Sequence, residues 1–231
     1  MTVPYSAQAR GAVVPVPRTG VERATLVRRT YGLVFLGIIT TMIGASVALS
    51  QQALLVQSAE HPIITFLLFF GTLFGAQAVH RRFPLNIALT LLATFIAGVM
   101  IAPALFVYNR MQPGIVGQAA LLTFTTFGVL SLYATFSRRD FSAWGGFFMI
   151  GVIVLLVTSL MNLWFKNETA SLWLAAGTVF IFGGLLVFDT WRIVRSNQYG
   201  PDDYVPAAVN IYVDLLNIFL AILRLLGGRR S

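Results

Sequence analysis

The sequence of 231 residues contains no cysteine and very little charge. The absence of cysteine excludes disulfide bonds, thiolate metal sites and cysteine nucleophiles. Charged residues make up only 10% of the chain, whereas hydrophobic residues make up 57%. A soluble domain of this size needs a charged surface to stay dispersed, and eight acids with sixteen bases cannot cover one. The composition is therefore typical of a membrane protein.

The net charge of +8 does not indicate nucleic-acid binding. Phosphate binding needs bases on one contiguous face, and here they fall in short clusters between apolar runs. Catalytic signatures are absent too, since the chain has two histidines and no HExxH, GxSxG or phosphate-binding glycine loop. We therefore expect no nucleic-acid partner, no enzymatic activity and no resident cofactor.

Residues 1–29 contain no apolar core before Tyr31, so no cleavable signal peptide is expected. We predict that they form a mostly disordered tail. The last part of this tail, VERATLVRR, is compatible with two structures. It forms either a short amphipathic helix on the membrane surface or a solvated helical extension of the first membrane span.

Seven apolar runs are long enough to cross a bilayer core about 30 Å thick, which needs roughly 20 residues per helix. They cover about residues 31–50, 62–79, 85–108, 115–136, 143–165, 171–191 and 206–226. The segments between them are short and carry the polar residues expected of loops. The sequence thus predicts an all-α integral membrane protein with one seven-helix transmembrane domain over residues 30–227. A short C-terminal tail, 228–231, follows.

The distribution of bases predicts the orientation in the membrane, because short loops rich in arginine stay in the cytoplasm. Eleven arginines fall on the side of the N-terminus: Arg10, Arg18, Arg23, Arg28, Arg29, Arg81, Arg82, Arg138, Arg139, Arg192 and Arg195. The opposite loops hold only Arg110 and Lys166, so we place the N-terminus in the cytoplasm. Arg229 and Arg230 then lie outside, against the rule, unless the seventh segment re-enters. Its length favours a full crossing.

Two of the eight acids, Asp189 and Asp214, lie within predicted spans, where a charge is costly and indicates function. Asp189 precedes Arg195 by six residues and Asp214 follows Pro206 by eight, which places them roughly 9 and 12 Å from the same loop. On packed antiparallel helices they would meet and share a proton, forming a pH sensor. When both are ionised, they would form a transient calcium site. The alternative for Asp189 is an interfacial acid paired with Arg192.

The seventh segment carries a polar stripe, because Asn210, Asp214 and Asn217 recur at spacings of four and three. Such a helix cannot show this face to lipid, so we expect it to be central and to line a water path. The asparagines are equally compatible with hydrogen bonds between helices. An intramembrane aspartyl protease also uses two acids on adjacent helices, but FDT and YVDLL do not match its Tyr-Asp and Gly-Leu-Gly-Asp contexts.

His80 and Arg81 end the second segment on the side where the acids lie. A basic cluster at this place usually anchors the topology. Histidine titrates near neutrality, however, so it is also a candidate to pair with an ionised aspartate and hold a gate shut.

The pattern LLVFDTWRIV, followed by a polar loop and by DDYVPAAVNIYVDLLNIFLAILRLLG, resembles the C-terminal signature of the Bax-inhibitor family, also called the transmembrane BAX inhibitor motif family. The likeness to its bacterial members covers about residues 30–227. It implies a seven-helix bundle in which the other six helices surround the seventh. It also implies a pH-sensitive calcium leak across the bacterial inner membrane, governed by two aspartates that match Asp189 and Asp214.

In bacterial relatives an arginine at the end of the second helix locks onto the two aspartates in the closed state. The matching position is His80, with Arg81 beside it, so the resemblance makes either one the candidate lock, and opening would move the second helix away. Some relatives instead regulate a membrane-embedded ATP-dependent protease, which gives the alternative of a regulator without ion flux. A proton-coupled transporter would need a substrate pocket that no motif indicates.

Overall fold

The computed structural model describes residues 20–228 of the chain, and all regular secondary structure in this range is helical. The helices are α1 (Gly20–Ser50), α2 (Gln52–Glu60), α3 (Pro62–Ala78), α4 (Leu85–Met111), α5 (Ile115–Phe136), α6 (Trp144–Phe165), α7 (Glu168–Val194) and α8 (Tyr204–Gly227). Six of them, α1 and α4 to α8, are long and apolar enough to cross a membrane. The predicted all-α membrane bundle is confirmed.

The second predicted span corresponds to α3, and a short helix precedes it at a sharp bend. α3 has 17 residues, about 26 Å in length, and it meets the short helix α2 at a bend of 92°. The bend falls at His61, because the proline that follows disfavours helical backbone at the residue before it. The prediction of a loop over 51–61 was wrong, since Gln52–Glu60 contains good helix formers that are too few and too polar to register as an apolar run.

α1 begins at Gly20, so the predicted boundary between tail and membrane domain at residue 30 falls inside this helix. VERATLVRR is continuous with the first span, as in the second of the two structures considered for it. Leu26 and Thr30 are fully buried, which shows that this extension packs against the bundle. The predictions for residues 1–19 and 229–231 lie outside the described residues.

α8 occupies the centre of the bundle, as expected from its polar stripe. It packs against α1, α3, α4, α5 and α7, and it buries more of its residues than any other described helix. α6 packs on the outer side of α7 and exposes large apolar side chains such as Phe147, Ile150 and Val154. The expectation that the last span is central is therefore confirmed, and the apolar outer surface of α6 suits it to lipid.

α1 and α4 form a tightly packed pair beside α8. A side chain added at Gly44 would collide with the backbone of Phe95, and one added at Gly98 would collide with the backbone of Thr41. The two helices thus touch through their backbones, which only glycine permits. The Thr41 hydroxyl lies 2.6 Å from the hydroxyl of Tyr212 on α8. This contact ties the central helix to the α1–α4 pair.

Candidate functional site

The two membrane-embedded acids meet inside the bundle. Asp189 lies in the last two turns of α7, Asp214 lies in the third turn of α8, and the loop 195–203 joins these antiparallel helices. Both side chains line the same cavity, where each is close enough to act on the other. Both residues are almost completely buried, with exposures of 6% and 3%. The structure thus brings together the pair that the sequence placed at a similar depth.

The pair faces a cavity of about 480 Å³ between α3, α6, α7 and α8, which we call the carboxyl cavity. α7 and α8 contribute the polar groups, and α3 and α6 close the sides with mainly apolar residues. The polar or charged side chains in its lining are those of Gln77, Ser142, Asp189, Arg192, Gln198, Asn210 and Asp214. The cavity is therefore polar around the carboxyl pair and apolar where it approaches lipid.

Arg192 forms an ion pair with Asp189, one member of the carboxyl pair. Its Nη1 donates to Oδ1 of Asp189 over 3.0 Å, and its Nε donates to Oε1 of Gln198 over 2.8 Å. The guanidinium also lies over the rings of Phe188 and Tyr199, 5.2 and 4.7 Å from their centroids. Four partners fix this side chain, so it sits rigidly beside Asp189. The sequence named this ion pair only as an alternative to the carboxyl pair, and the structure contains both.

Asp214 has no comparable cationic partner among the described residues. Its Oδ2 is buried and has no hydrogen-bond partner among the described residues. A buried, unpaired carboxylate oxygen is costly, so this position favours a proton or a bound cation. One acid of the pair is therefore neutralised by an arginine and the other is open to a ligand.

Asn210 connects the pair to the loop between α7 and α8. Its side chain lines the cavity with Asp189, and its Nδ2 donates to the Tyr199 hydroxyl over 3.0 Å. Burial raises the pKa of Tyr199 to about 12, and the nearby negative charge of Asp189 adds to this rise. The phenol therefore remains protonated at neutral pH. Sequence reasoning missed Tyr199, although an aromatic residue within the polar loop RSNQYGPDD was a signal.

Asn217 does not take part in this arrangement. It is absent from the lining of the carboxyl cavity, and its Nδ2 donates to the carbonyl of Val213 in its own helix over 2.8 Å. The predicted polar stripe thus contributes Asn210 and Asp214 to the cavity but not Asn217. An asparagine can satisfy itself locally on a helix, so regular spacing alone did not decide where its side chain would bond.

His80 and Arg81 contact Asp203 rather than the carboxyl pair, and the expectation that one of them locks the pair stays a prediction. His80 Nε2 and Arg81 Nη2 lie 3.6 and 3.5 Å from Oδ1 of Asp203, the residue before α8. Neither lines the carboxyl cavity. The physical reason is that α3 ends at Ala78, so the chain turns away before these residues. Gln77 is the last polar residue of α3 that reaches the cavity.

Comparison with known proteins identifies relatives over most of the chain. The family model described as "Inhibitor of apoptosis-promoting Bax1" matches residues 23–231. An uncharacterised protein of Campylobacter jejuni is 31% identical over 213 residues, covering 91% of each chain. The Golgi anti-apoptotic protein of vaccinia virus is 30% identical over 207 residues, or 88% of this chain and 85% of the viral one. Mouse protein lifeguard 4 is 29% identical over 207 residues, which again cover 88% of this chain and 85% of the relative.

These matches extend across the helices that build the carboxyl cavity, and the apolar helices make the chain a multi-pass membrane protein. The chain belongs to the Bax-inhibitor family.

Proposed function

We propose that this protein is a pH-sensitive calcium leak channel rather than an enzyme, and that the Asp189–Asp214 pair is its gate. The observation that carries the proposal is the shared environment of the two acids, buried together with a single cation, Arg192, at hydrogen-bond distance. Two carboxyl groups in contact respond jointly to protons and, when ionised, attract cations. We place the protein in the bacterial inner membrane with its N-terminus in the cytoplasm, because the arginines cluster on that side.

In this proposal, the arrangement of the described helices is the closed state. Beyond the pair, α8 buries Leu215, Ile218 and Ile222 in the apolar core. On the side of the loops, Arg192 is fixed against Asp189. The mobile wall in this proposal is α3, whose Leu73 and Gln77 line the carboxyl cavity.

Protonation opens the gate in two steps with opposite effects. The first proton taken up by the pair weakens the attraction of Arg192 and frees the mouth of the cavity. A second proton removes the remaining negative charge, and with it the attraction for calcium. The leak therefore rises as pH falls from alkaline values, passes through a maximum and declines in more acidic solution.

Calcium binds only transiently in this proposal. The ion takes six to eight oxygen ligands in a stable site. Within residues 20–228, no group of three or more histidine, aspartate or glutamate side chains lies close enough to hold a metal ion. Two carboxyl groups and the Asn210 amide supply too few oxygens for tight binding. This weakness suits passage better than storage.

The test is calcium entry into dye-loaded proteoliposomes between pH 5 and pH 8. We expect the leak of the wild-type protein to pass through a maximum as the pH falls. Asp189→Asn and Asp214→Asn should each lose this maximum, because only one titrating carboxyl group of the pair remains. Asp140→Asn, an exposed acid in the α5–α6 loop, is the matched control and leaves the response unchanged. If either pair variant kept the wild-type pH profile, the gate would be elsewhere. No flux at any pH from folded, inserted protein would favour the regulator of a membrane protease.

A further inference from the structure

A second cavity, which we call the basic cavity, lies at the same end of the bundle. It has a volume of about 560 Å³ and lies between α1, the α3–α4 loop, the start of α4 and the start of α8. It shares no lining residue with the carboxyl cavity. Its charged or titratable lining consists of Arg29, His80, Arg81, Asp202 and Tyr204. The lining thus carries a net positive charge, and the proposed channel function makes no use of it.

The two arginines are weakly held by their carboxylate partners. Arg29 lies 3.5 Å from Asp202, and Arg81 lies 3.5 Å from Asp203. Charge-assisted hydrogen bonds of full strength are shorter, about 2.7–2.9 Å. The arginine side chains are also 51% and 73% exposed. An anionic group can therefore enter between them without breaking a strong ion pair.

Apart from Asn86 and Tyr204, the rest of the lining is apolar and leads from the arginines toward the membrane. Arg29, Leu33 and Leu36 follow one another at spacings of four and three, so they lie on one face of α1. Phe83 and Ile87 line the cavity from the side of α4. Leu36 and Phe83 are 48% and 75% exposed, so this wall opens to the bilayer. The cavity thus has a cationic end at the loops and an apolar end toward lipid.

We propose that the basic cavity binds an anionic phospholipid, with the phosphate between Arg29 and Arg81 and one acyl chain along Leu33 and Leu36. Basic pockets between membrane helices suit anionic head groups. A free phosphate ion would use the arginines alone, whereas a phospholipid also covers the apolar wall. Asp202 competes with the lipid phosphate for Arg29, so this acid sets how tightly the lipid is held.

The experiment titrates the full-length protein in detergent micelles with dioleoyl phosphatidylglycerol or dioleoyl phosphatidylcholine and counts bound lipids by native mass spectrometry. We expect phosphatidylglycerol to bind about tenfold more tightly than phosphatidylcholine. Arg29→Gln and Arg81→Gln should each weaken phosphatidylglycerol binding about fivefold. Arg138→Gln and Arg139→Gln, exposed on the same side but outside the cavity, are the matched controls and leave it unchanged.

A variant that binds phosphatidylglycerol more tightly provides a further test, because misfolding would weaken binding rather than strengthen it. Asp202→Asn should tighten phosphatidylglycerol binding, because Arg29 loses its competing partner, whereas Asp140→Asn should not. Equal affinity for the two lipids, equal losses in the control variants, or displacement of the lipid by excess inorganic phosphate would each overturn the proposal. Asp189→Asn should bind the lipid normally, so this result stands or falls separately from the channel function.

Discussion

Two pairs of aspartates lie at the same end of the bundle, and they lie in opposite environments. Asp189 and Asp214 are buried between α7 and α8, and one arginine pairs with the first of them. Asp202 and Asp203, in the loop before α8, are contacted by Arg29, His80 and Arg81 at 3.5–3.6 Å. The loop pair has two arginines and a histidine within reach, yet its ion pairs are long and the side chains that form them are 18–76% exposed.

The comparison teaches that burial, rather than the number of neighbouring cations, decides which acids can control a gate. Exposed ion pairs are worth about 0–1 kcal/mol because water screens them. Removing one partner of a buried pair costs about 3–5 kcal/mol, since the other charge is left without compensation. A proton that neutralises a buried acid therefore changes the energy of the closed state far more than a proton that reaches the loop pair.

The largest effect is expected from Arg192→Gln. This change removes the 3.0 Å ion pair with Asp189, so the closed state loses its main polar contact at the cavity. We expect calcium entry at pH 8 to rise at least about tenfold, to the level that the wild type reaches only on acidification. Proteoliposome flux at fixed pH measures it. Arg195→Gln is the matched control, because Arg195 donates to the carbonyl of Thr135 instead. If Arg192→Gln and Arg195→Gln gave equal leaks, the loss of the buried ion pair would not be the cause of the leak.

A smaller effect is expected from the ring of Tyr199, which lies 4.7 Å below the Arg192 guanidinium. Tyr199→Leu loses this cation–π contact, worth about 0.5–1 kcal/mol, and should raise the leak at pH 8 about threefold. Tyr199→Phe keeps the ring and should leave it near the wild-type level. Because the pKa of Tyr199 is raised to about 12, its phenol stays protonated from pH 5 to pH 8 and adds no pH response. Equally raised leaks in the two variants would show that the hydroxyl bonded to Asn210 matters instead, and wild-type leaks in both would show that neither group matters.

The smallest effect is expected at the loop pair. His80→Gln and Arg81→Gln should each change the leak less than about twofold across pH 5 to pH 8, because they contact Asp203 rather than the carboxyl cavity. The same flux assay measures this, with Arg192→Gln as the positive reference. A large leak at pH 8 from either variant would instead support the hypothesis, implied by the family resemblance, that His80 or Arg81 locks the gate.

Features that rest on local composition were predictable. Long apolar runs must become buried or lipid-facing helices, so the spans that correspond to α1 and α4 to α8 followed directly from hydropathy. The helix α2 and its bend against α3 were not predictable, because nine moderately polar residues carry no membrane signal. The central place of α8 followed from its polar stripe, since lipid cannot accept such a face.

The partners of the charged residues were less predictable. Arg192 was visible three residues after Asp189, and a pair at that spacing is a local feature of a helix. His80 and Arg81 depended on where α3 ends and how the chain turns after it, and the sequence does not specify this direction. Asp203 became their partner because the start of α8 lies beside that turn.

The sequence by itself determined that the chain is a helical membrane protein and that Asp189 and Asp214 are its two membrane-embedded acids, because hydropathy and helix length are properties of the local chain. Only the tertiary structure decided that these acids share a cavity with Arg192, that Asn217 does not join them and that a separate basic cavity lies against α1. The reason is that contacts between helices depend on their packing in three dimensions, and packing joins residues that are distant along the chain.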